Sequence, residues 1–335
     1  MSFKFQLHGI IPPLATPLDN EDALNVERLH QLIDHIIAGG VNGVFVLGTT
    51  GEAPSLSLSL KKEIIAETCR YIDHKIPVLV GITDSSWTES LIQAKTAAHN
   101  KADAVVASSP FYYPISQDDL YAYIKRLADE VPLPLYLYNI PGCTKTVFEI
   151  ETLKKLTEIP NIVGVKDSSG NMVYLKKLIR LKEFRPDWSV FVGPEELLAE
   201  AVLSGADGGV NGGANLYPQL YVDLYDAAVT HDVARIQAIQ DCVMDISESI
   251  YTPVYLPGLK YALSCKNLSG EFLAPPLQSP SPEHKKRIRE FITKHPEIKA
   301  DTLPMNPASK KKILNVSDDQ TLAPGSKKEV RNPRL

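Results

Sequence analysis

A short apolar run recurs eight times between residues 9 and 213, and this repeat constrains the fold more than any other feature. Each run is continuous rather than alternating, which is typical of strands buried on both faces of a parallel sheet. The runs begin at Gly9 (GIIPPLAT), Gly43 (GVFVLG), Pro77 (PVLVGI), Ala104 (AVVASS), Pro134 (PLYLYN), Ile162 (IVGVKD), Ser189 (SVFVGP) and Gly208 (GGVNGG). Eight buried strands are therefore predicted.

Segments with helical periodicity separate these runs. In residues 25–38, for example, Leu29, Ile33 and Ile36 recur at helical spacing. Further helices are predicted over 57–73, 88–99, 118–130, 148–156, 174–182 and 195–203. A doubly wound open sheet would carry a glycine fingerprint after the first strand, where this chain has Pro12-Pro13. The alternation therefore favours the α/β class and a closed (β/α)8 TIM barrel.

The chain is predicted to have three parts. The barrel occupies residues 1–217, and a C-terminal helical region follows over 218–295, where prolines punctuate helices expected at 221–229, 233–246, 259–263 and 284–291. Residues 296–335 contain five prolines, two lysine clusters and no aromatic residue. Such a composition buries too little surface to offset the entropy of ordering, so we expect a flexible tail.

Composition excludes several classes of protein. The net charge of −5 disfavours nucleic acid as a partner. No uncharged apolar run approaches the roughly 20 residues of a membrane span, and prolines interrupt the N-terminus, so no membrane partner and no signal peptide are predicted. Four scattered cysteines do not form a disulfide framework or a zinc site. We expect a cytoplasmic protein with reduced thiols and no metal.

Lys166 is the most informative single residue, because it ends the sixth apolar run. Active-site residues of a barrel lie at the carboxyl ends of the strands and in the loops that follow. A lysine at this mouth is partly desolvated, which lowers the pKa of the amine and leaves a neutral nucleophile for a carbonyl. The alternative is a lysine that pairs with Asp167 or extends to solvent.

Tyr138 ends the fifth run, on the strand next to that of Lys166. Schiff-base chemistry needs a proton shuttle, and a phenol can act as one where its proton is relayed onward. An amphipathic residue at the barrel rim is the alternative interpretation.

The turn after the second run carries two hydroxyl side chains, Thr49 and Thr50, flanked by Gly48 and Gly51. Such a turn offers hydroxyl and backbone N–H donors to a substrate carboxylate. It could equally be an ordinary connection from strand to helix.

Three motifs, at 48–52 (GTTGE), 138–141 (YNIP) and 163–167 (VGVKD), occur in a characteristic order and spacing. Together they resemble the dihydrodipicolinate synthase / N-acetylneuraminate lyase family of pyruvate-dependent class I aldolases. The segment 110–114 (PFYYP) is similar to the lyase branch. The resemblance covers roughly residues 6–295.

The resemblance implies roles for individual residues. Lys166 would form the Schiff base with the keto carbon of pyruvate or another 2-keto acid, and Tyr138 would be the general acid/base. Thr50 would hold the carboxylate, and the carbonyl of Val210 would contact the pyruvyl group. No metal or organic cofactor is implied, because the iminium itself is the electron sink.

The resemblance also implies an oligomer. Thr49 would link Tyr138 to a second tyrosine, which matches Tyr112 here and reaches in from a neighbouring subunit. A homo-oligomer, tetramer or dimer, is therefore expected.

The sequence departs from the synthase branch after the YNIP motif. Those enzymes typically carry an arginine where this chain has Cys143, and a glycine where it has Lys145. Without a guanidinium to pair with a carboxylate, the lysine-biosynthetic reaction is disfavoured. Cys143 is expected to line a pocket, with a reactive thiol as the alternative, and Lys145 is expected either to bind an acidic substrate or to face solvent.

Candidate contacts to the rest of the substrate follow strands six to eight. Glu196 could accept hydrogen bonds from sugar hydroxyls or cap a helix. Ser168 is placed to contact a substrate hydroxyl, again with capping as the alternative. Asn211 precedes Gly212-Gly213, and these glycines either make room or expose N–H groups, so a phosphorylated substrate is a minor alternative.

The function predicted first is an aldolase that cleaves a 2-keto acid into pyruvate and an aldehyde. The substrate would be a sugar acid such as N-acetylneuraminate or a 2-keto-3-deoxy sugar acid. The alternatives are 4-hydroxy-tetrahydrodipicolinate synthase and a Schiff-base dehydratase or deaminase of a keto-deoxy acid, because one fold hosts all three reactions. A non-catalytic oligomeric binding protein is disfavoured, because the reactive residues occur together.

Overall fold

Eight parallel strands form one sheet in the computed structural model, which describes residues 6–304. They are β1 (Gly9–Ile10), β2 (Val44–Val46), β3 (Val78–Gly81), β4 (Ala104–Ser108), β5 (Leu135–Asn139), β6 (Ile162–Asp167), β7 (Ser189–Val192) and β8 (Gly208–Gly209). Their order is β1-β8-β7-β6-β5-β4-β3-β2. A bridge between Pro13 and Phe45 joins the two edges, and the Leu14 N–H donates to the Phe45 carbonyl at 2.8 Å. The sheet closes on itself, and the predicted barrel is confirmed.

The α-helices that surround and extend this barrel within residues 6–304 are labelled α1–α12. They are Val26–Ala38, Leu58–Ile72, Trp87–His99, Gln117–Glu130, Pro141–Thr144, Ile150–Leu156, Met172–Ile179, Leu198–Leu203, Pro218–Val229, Val233–Ile246, Tyr255–Cys265 and Pro282–Lys294. Several begin at a side-chain cap: the oxygens of Asn25, Ser57 and Ser116 each accept a hydrogen bond from a backbone N–H three residues on. None of these helices is both long and apolar enough to cross a membrane.

Two separate apolar clusters hold the barrel together. The larger lies between the strands and the helices, and the smaller fills the barrel interior. The interior cluster includes Phe45, Val106, Tyr136, Phe191 and Val210. Because side chains alternate along each strand, β2 to β7 each contribute residues to both clusters. The interior cluster forms the floor beneath the strands' carboxyl ends.

Helix α9 packs against α8 and β1. It therefore occupies the place of the barrel's eighth helix, and the predicted boundary at 217/218 falls before this helix instead of after it. The helices beyond the barrel begin with α10.

Helix α11 begins at Tyr255, four residues earlier than the predicted start at 259. Pro253 and Pro257 are among the prolines that were expected to punctuate the C-terminal helices. Pro257 instead lies in the first turn, where a missing N–H removes no intrahelical hydrogen bond. A π-helix, Ser247–Tyr251, precedes α11.

The segment expected to be a flexible tail is described only up to residue 304. Its first residues pack on the body of the protein: Ile298 and Ala300 are buried, and Asp301 pairs with Arg235 of α10 at 2.6 Å. Order therefore continues past the predicted boundary at 295/296. The remainder of the predicted tail lies outside the described residues.

Candidate active site

Lys166 and Tyr138 face the barrel interior on neighbouring strands. They are partners in the parallel register of β5 and β6. The Lys166 Nζ lies 4.2 Å from the centre of the Tyr138 ring and 5.4 Å from the centre of the Phe45 ring. Only 7% of Lys166 is exposed, and its amine forms no ion pair with a carboxylate of residues 6–304. The structure thus places a buried amine beside a phenol.

Asp167 does not pair with this amine. Its carboxylate accepts hydrogen bonds from Asn139 Nδ2 at 2.7 Å and from Ser169 Oγ at 2.8 Å. Because successive side chains of a strand point to opposite faces, Asp167 lies on the far side of β6 from the barrel interior. The alternative of a Lys166–Asp167 pair is therefore wrong.

A cavity of about 330 Å³ opens over Lys166 at the carboxyl ends of the strands. It brings together most of the residues predicted for the site. Its lining includes Lys166, Tyr138, Thr49, Thr50, Ser168, Val210, Glu196, Glu195, Tyr251 and Tyr255. The cavity is large enough for a small polar molecule. The Lys166 amine and several hydroxyl groups line it.

The turn at the end of β2 has a strained backbone. Leu47 and Glu52 both have positive φ, at 57° and 60°, a region that side-chain-bearing residues rarely adopt. Contacts at Glu52 hold this conformation: its carboxylate accepts from the Ala274 N–H at 2.7 Å and pairs with the buried Lys260. The ion pair fixes the turn that carries Thr49 and Thr50.

The two threonines of this turn differ in exposure. Thr49 is exposed and faces the cavity, whereas Thr50 is 5% exposed. The Thr50 Oγ1 lies 3.2 Å from the hydroxyl of Tyr255. The first residue of α11 therefore reaches the β2 turn.

Glu195 and Glu196 follow β7 and have different surroundings. The Glu195 carboxylate accepts from Tyr221 Oη at 2.6 Å and from the Gly213 N–H at 2.8 Å. Burial raises the pKa of Glu195 to about 7. The Glu196 carboxylate lines the cavity and accepts from Ser247 Oγ at 2.6 Å. Glu196 thus presents a partly buried carboxylate to the cavity, whereas the buried Glu195 carboxylate is bound by Tyr221 and Gly213.

The glycines after β8 make room for tyrosine hydroxyls. A Cβ added at Gly212 would lie 1.6 Å from the Tyr255 hydroxyl, and one at Gly213 would lie 2.0 Å from the Tyr221 hydroxyl. The Gly213 N–H already binds the carboxylate of Glu195. This loop is therefore filled by the protein's own side chains, which disfavours a phosphate site there.

Ser168 and Asn211 have separate positions. The Ser168 Oγ lies in the cavity, 3.5 Å from Tyr138 Oη. Asn211 is fully buried and does not line the cavity, because its Nδ2 donates to the Gly193 carbonyl at 2.9 Å. Its predicted substrate contact is not supported, since the side chain instead ties the β7 and β8 loops together.

A second cavity of about 220 Å³ adjoins the first and shares Thr49, Tyr138 and Ile140 with it. Gly48 and Cys143 line this second space rather than the one over Lys166. Cys143 is exposed at this space, and partial desolvation raises the pKa of its thiol, which disfavours a thiolate.

Two other predicted residues lie away from the Lys166 cavity. Tyr112 is 75% exposed and stacks edge-on against Tyr113, at 5.0 Å between ring centres. It lines neither cavity of its own chain. Lys145 is exposed at the end of α5, which corresponds to the solvent-facing alternative.

Comparison with known proteins identifies the family. The Dihydrodipicolinate synthetase family matches residues 6–295, so the chain belongs to this family. Members of the family are lyases. The probable 2-dehydro-3-deoxy-D-pentonate aldolase YjhH of Escherichia coli K12 is 31% identical over 290 residues, which cover 85% of this chain and 96% of that protein.

Two solved structures have the same fold. Dihydrodipicolinate synthase from Bacteroides thetaiotaomicron superposes with a TM-score of 0.83 at 46% identity, over 86% of this chain and 98% of that chain. YagE, a prophage protein of the same family from Escherichia coli K12, was solved in complex with pyruvate. Its TM-score is 0.81 at 28% identity, over 86% of this chain and 98% of that chain.

Proposed function

We propose that this protein is a pyruvate-dependent class I aldolase whose Schiff base forms on Lys166. The observation that carries the proposal is the buried Lys166 amine, which has no carboxylate partner among residues 6–304 and lies 4.2 Å from the Tyr138 ring centre. An amine that lines the cavity and is held by no carboxylate can attack the keto carbon of a bound substrate. The pyruvate complex of YagE supports pyruvate as the keto acid.

In the cleavage direction, the Lys166 nitrogen attacks the keto carbon, and loss of water leaves a protonated iminium. Tyr138 then takes the proton of the C4 hydroxyl as the C3–C4 bond breaks. The bonding electrons flow into the iminium to give an enamine, so no free carbanion forms. Protonation at C3 and hydrolysis release pyruvate and restore the amine. The iminium is the electron sink, and we propose no metal or organic cofactor.

The polar wall of the cavity supports a hydroxylated substrate. Thr50 and the Val210 carbonyl would contact the pyruvyl part, and Glu196 and Ser168 would contact hydroxyls further along the chain. A 2-keto-3-deoxy sugar acid is the first candidate, and N-acetylneuraminate is the larger one. The similarity to a pentonate aldolase favours the first.

A second candidate is 4-hydroxy-tetrahydrodipicolinate synthase. The 46% identity to the Bacteroides thetaiotaomicron synthase favours it. The side chain beyond the YNIP motif argues against it, because Cys143 offers no guanidinium to a dicarboxylic aldehyde.

Borohydride reduction in the presence of pyruvate tests the shared chemistry. We expect the intact protein to gain one reduced pyruvyl group, and the matched Lys166→Arg variant to gain none. Pyruvate release from a panel of sugar acids, compared with pyruvate consumption with aspartate semialdehyde, then separates the two candidates. A wild-type chain that gains no mass would rule out the proposal.

We also propose that the active form is a homo-oligomer, in which Tyr112 of the partner subunit completes the proton relay. Its support is the exposed Tyr112–Tyr113 pair beside Phe111, a residue of the second cavity. Mixing Tyr112→Phe protein with Lys166→Ala protein tests this. Shared sites predict activity in the mixture above the sum of its parts, and strict additivity would contradict them.

A further inference from the structure

Thr50 has a hydrogen-bond partner that comes from outside the barrel strands. Its Oγ1 lies 3.2 Å from the hydroxyl oxygen of Tyr255, which is 205 positions further along the chain. Thr50 is only 5% exposed, whereas Tyr255 is 36% exposed, so the contact is shielded from water on the Thr50 side. The bond therefore couples the β2 turn to the C-terminal helical region.

The direction of this hydrogen bond follows from proton counting. A hydroxyl group has one proton to donate. If Thr50 donates its proton to a substrate carboxylate, its oxygen must accept the proton of Tyr255. Although part of the Tyr255 ring is exposed, desolvation of its hydroxyl group raises the pKa of the phenol well above its ordinary value, so the phenol remains a donor throughout the neutral range.

The surrounding residues fix the Tyr255 hydroxyl in place. The absence of a side chain at Gly212 admits it, since a Cβ there would lie 1.6 Å from the phenol oxygen. The ring packs edge-on against Tyr251, with 4.9 Å between ring centres and 68° between ring planes. Tyr251 is itself 8% exposed. Both the oxygen and the ring of Tyr255 are thus positioned by contacts unrelated to substrate.

We propose that Tyr255 is a positioning residue, which donates a hydrogen bond to Thr50 and so directs the Thr50 proton toward the carboxylate of the keto acid. This inference rests on the proposed function, in which Thr50 holds that carboxylate. It assigns a part of keto-acid affinity to the C-terminal helices, which contribute neither the Schiff-base lysine nor its acid/base partner.

The test measures the pyruvate concentration that half-saturates adduct formation in the borohydride assay. Tyr255→Phe removes one hydroxyl and is expected to raise this concentration about 5- to 10-fold, as loss of one hydrogen bond does. The maximal yield of adduct should stay unchanged, because Lys166 and Tyr138 are intact. Tyr225→Phe is the matched control, since it deletes a hydroxyl on α9 that does not line the cavity.

A double-mutant cycle separates positioning from direct binding. Thr50→Val should raise the half-saturating concentration at least as much as Tyr255→Phe, and the double variant should be no worse than Thr50→Val alone. Gly212→Ala tests the same hydrogen bond without removing a hydroxyl group. Its added methyl group displaces the Tyr255 hydroxyl from Thr50, so the half-saturating concentration should rise here too. Thermal midpoints of all variants report whether each one folds.

Two results would overturn the inference while the wild type still forms the adduct. One is a half-saturating concentration unchanged within twofold in both Tyr255→Phe and Gly212→Ala. The other is a double variant whose half-saturating concentration rises by the product of the two single fold-changes. That result would show that Tyr255 acts independently of Thr50. A wild type that forms no adduct would instead refute the proposed function, and this inference with it.

Discussion

Lys166 and Lys260 are both buried, but their surroundings differ. The Lys260 amine pairs with the carboxylate of Glu52, and both side chains are almost fully removed from solvent. The Lys166 amine faces the rings of Tyr138 and Phe45 and pairs with no carboxylate of residues 6–304. Burial alone therefore does not make a lysine reactive. The Glu52 carboxylate holds the Lys260 amine in an ion pair, although burial lowers the pKa of that amine, whereas the Lys166 amine is open to the cavity.

The two lysines nevertheless serve the same cavity. Lys260 holds Glu52, and Glu52 ends the strained turn that carries Thr49 and Thr50. We therefore expect Lys166 to act in the reaction and Lys260 to stabilise the fold around the β2 turn. Substitutions at each should separate these two roles.

The largest effect is expected for Lys166→Met. Turnover should fall by more than about 10⁴-fold, because no other described amine lines the cavity. The thermal midpoint should change little, since the substitution removes a buried amine that has no ion pair among residues 6–304. Steady-state kinetics and calorimetry on the same preparation check both parts. A large loss of stability with retained turnover would show that Lys166 is structural and not the nucleophile.

Tyr138→Phe tests the reaction proposed at Lys166 by removing the phenol oxygen beside it. The phenol oxygen is the proposed acid/base, so kcat should fall about 10²- to 10⁴-fold. Adduct formation should slow as well, because loss of water from the carbinolamine needs the same proton. Unchanged kcat would show that another group carries the proton.

Lys260→Met tests the structural half. It leaves the Glu52 carboxylate buried without its counter-charge, so the free energy of unfolding should fall by about 3–5 kcal/mol. Denaturant unfolding measures this loss. The control is Lys125→Met, at an exposed pair with Asp129, where solvent screens the interaction and a much smaller loss is expected. Equal losses in the two variants would argue against the role assigned to Lys260.

Glu195 gives a smaller effect that depends on pH. Burial raises its pKa from 4.5 to about 7, so between these values the folded protein binds more protons than the unfolded chain. The free energy of unfolding should therefore fall as pH rises through this window, by roughly 3 kcal/mol at most. Glu195→Gln cannot titrate, so its stability relative to wild type should improve between pH 5 and pH 8.

The control for Glu195 is Glu200→Gln, which changes an exposed carboxylate on α8. Its stability difference from wild type should not vary over the same pH range. If the Glu195→Gln difference is equally flat, then the carboxyl group does not titrate in this window.

The barrel and the residues at its strand ends could be predicted from sequence for a physical reason. Strands buried on both faces require continuous apolar runs, and the break in each run marks the strand end where chemistry is placed. Lys166 and Tyr138 stand at such breaks, on adjacent strands. Their meeting in the barrel mouth follows from the fold alone.

The outer wall of the cavity could not be predicted in this way. Tyr255 meets Thr50 across 205 positions, and Lys260 meets Glu52 across 208, with no local pattern to signal either contact. Pro257 also suggested a helix boundary, although it lies inside the first turn of α11. Gly212-Gly213 was the available signal, since adjacent glycines after the last strand indicate that another group fills the space.

Peptide mapping of the borohydride-trapped protein tests the central claim most directly. The account predicts one reduced pyruvyl group on the peptide that contains Lys166 and an unmodified peptide around Lys260. Modification at Lys260, or spread over surface lysines with Lys166 unchanged, would contradict the account.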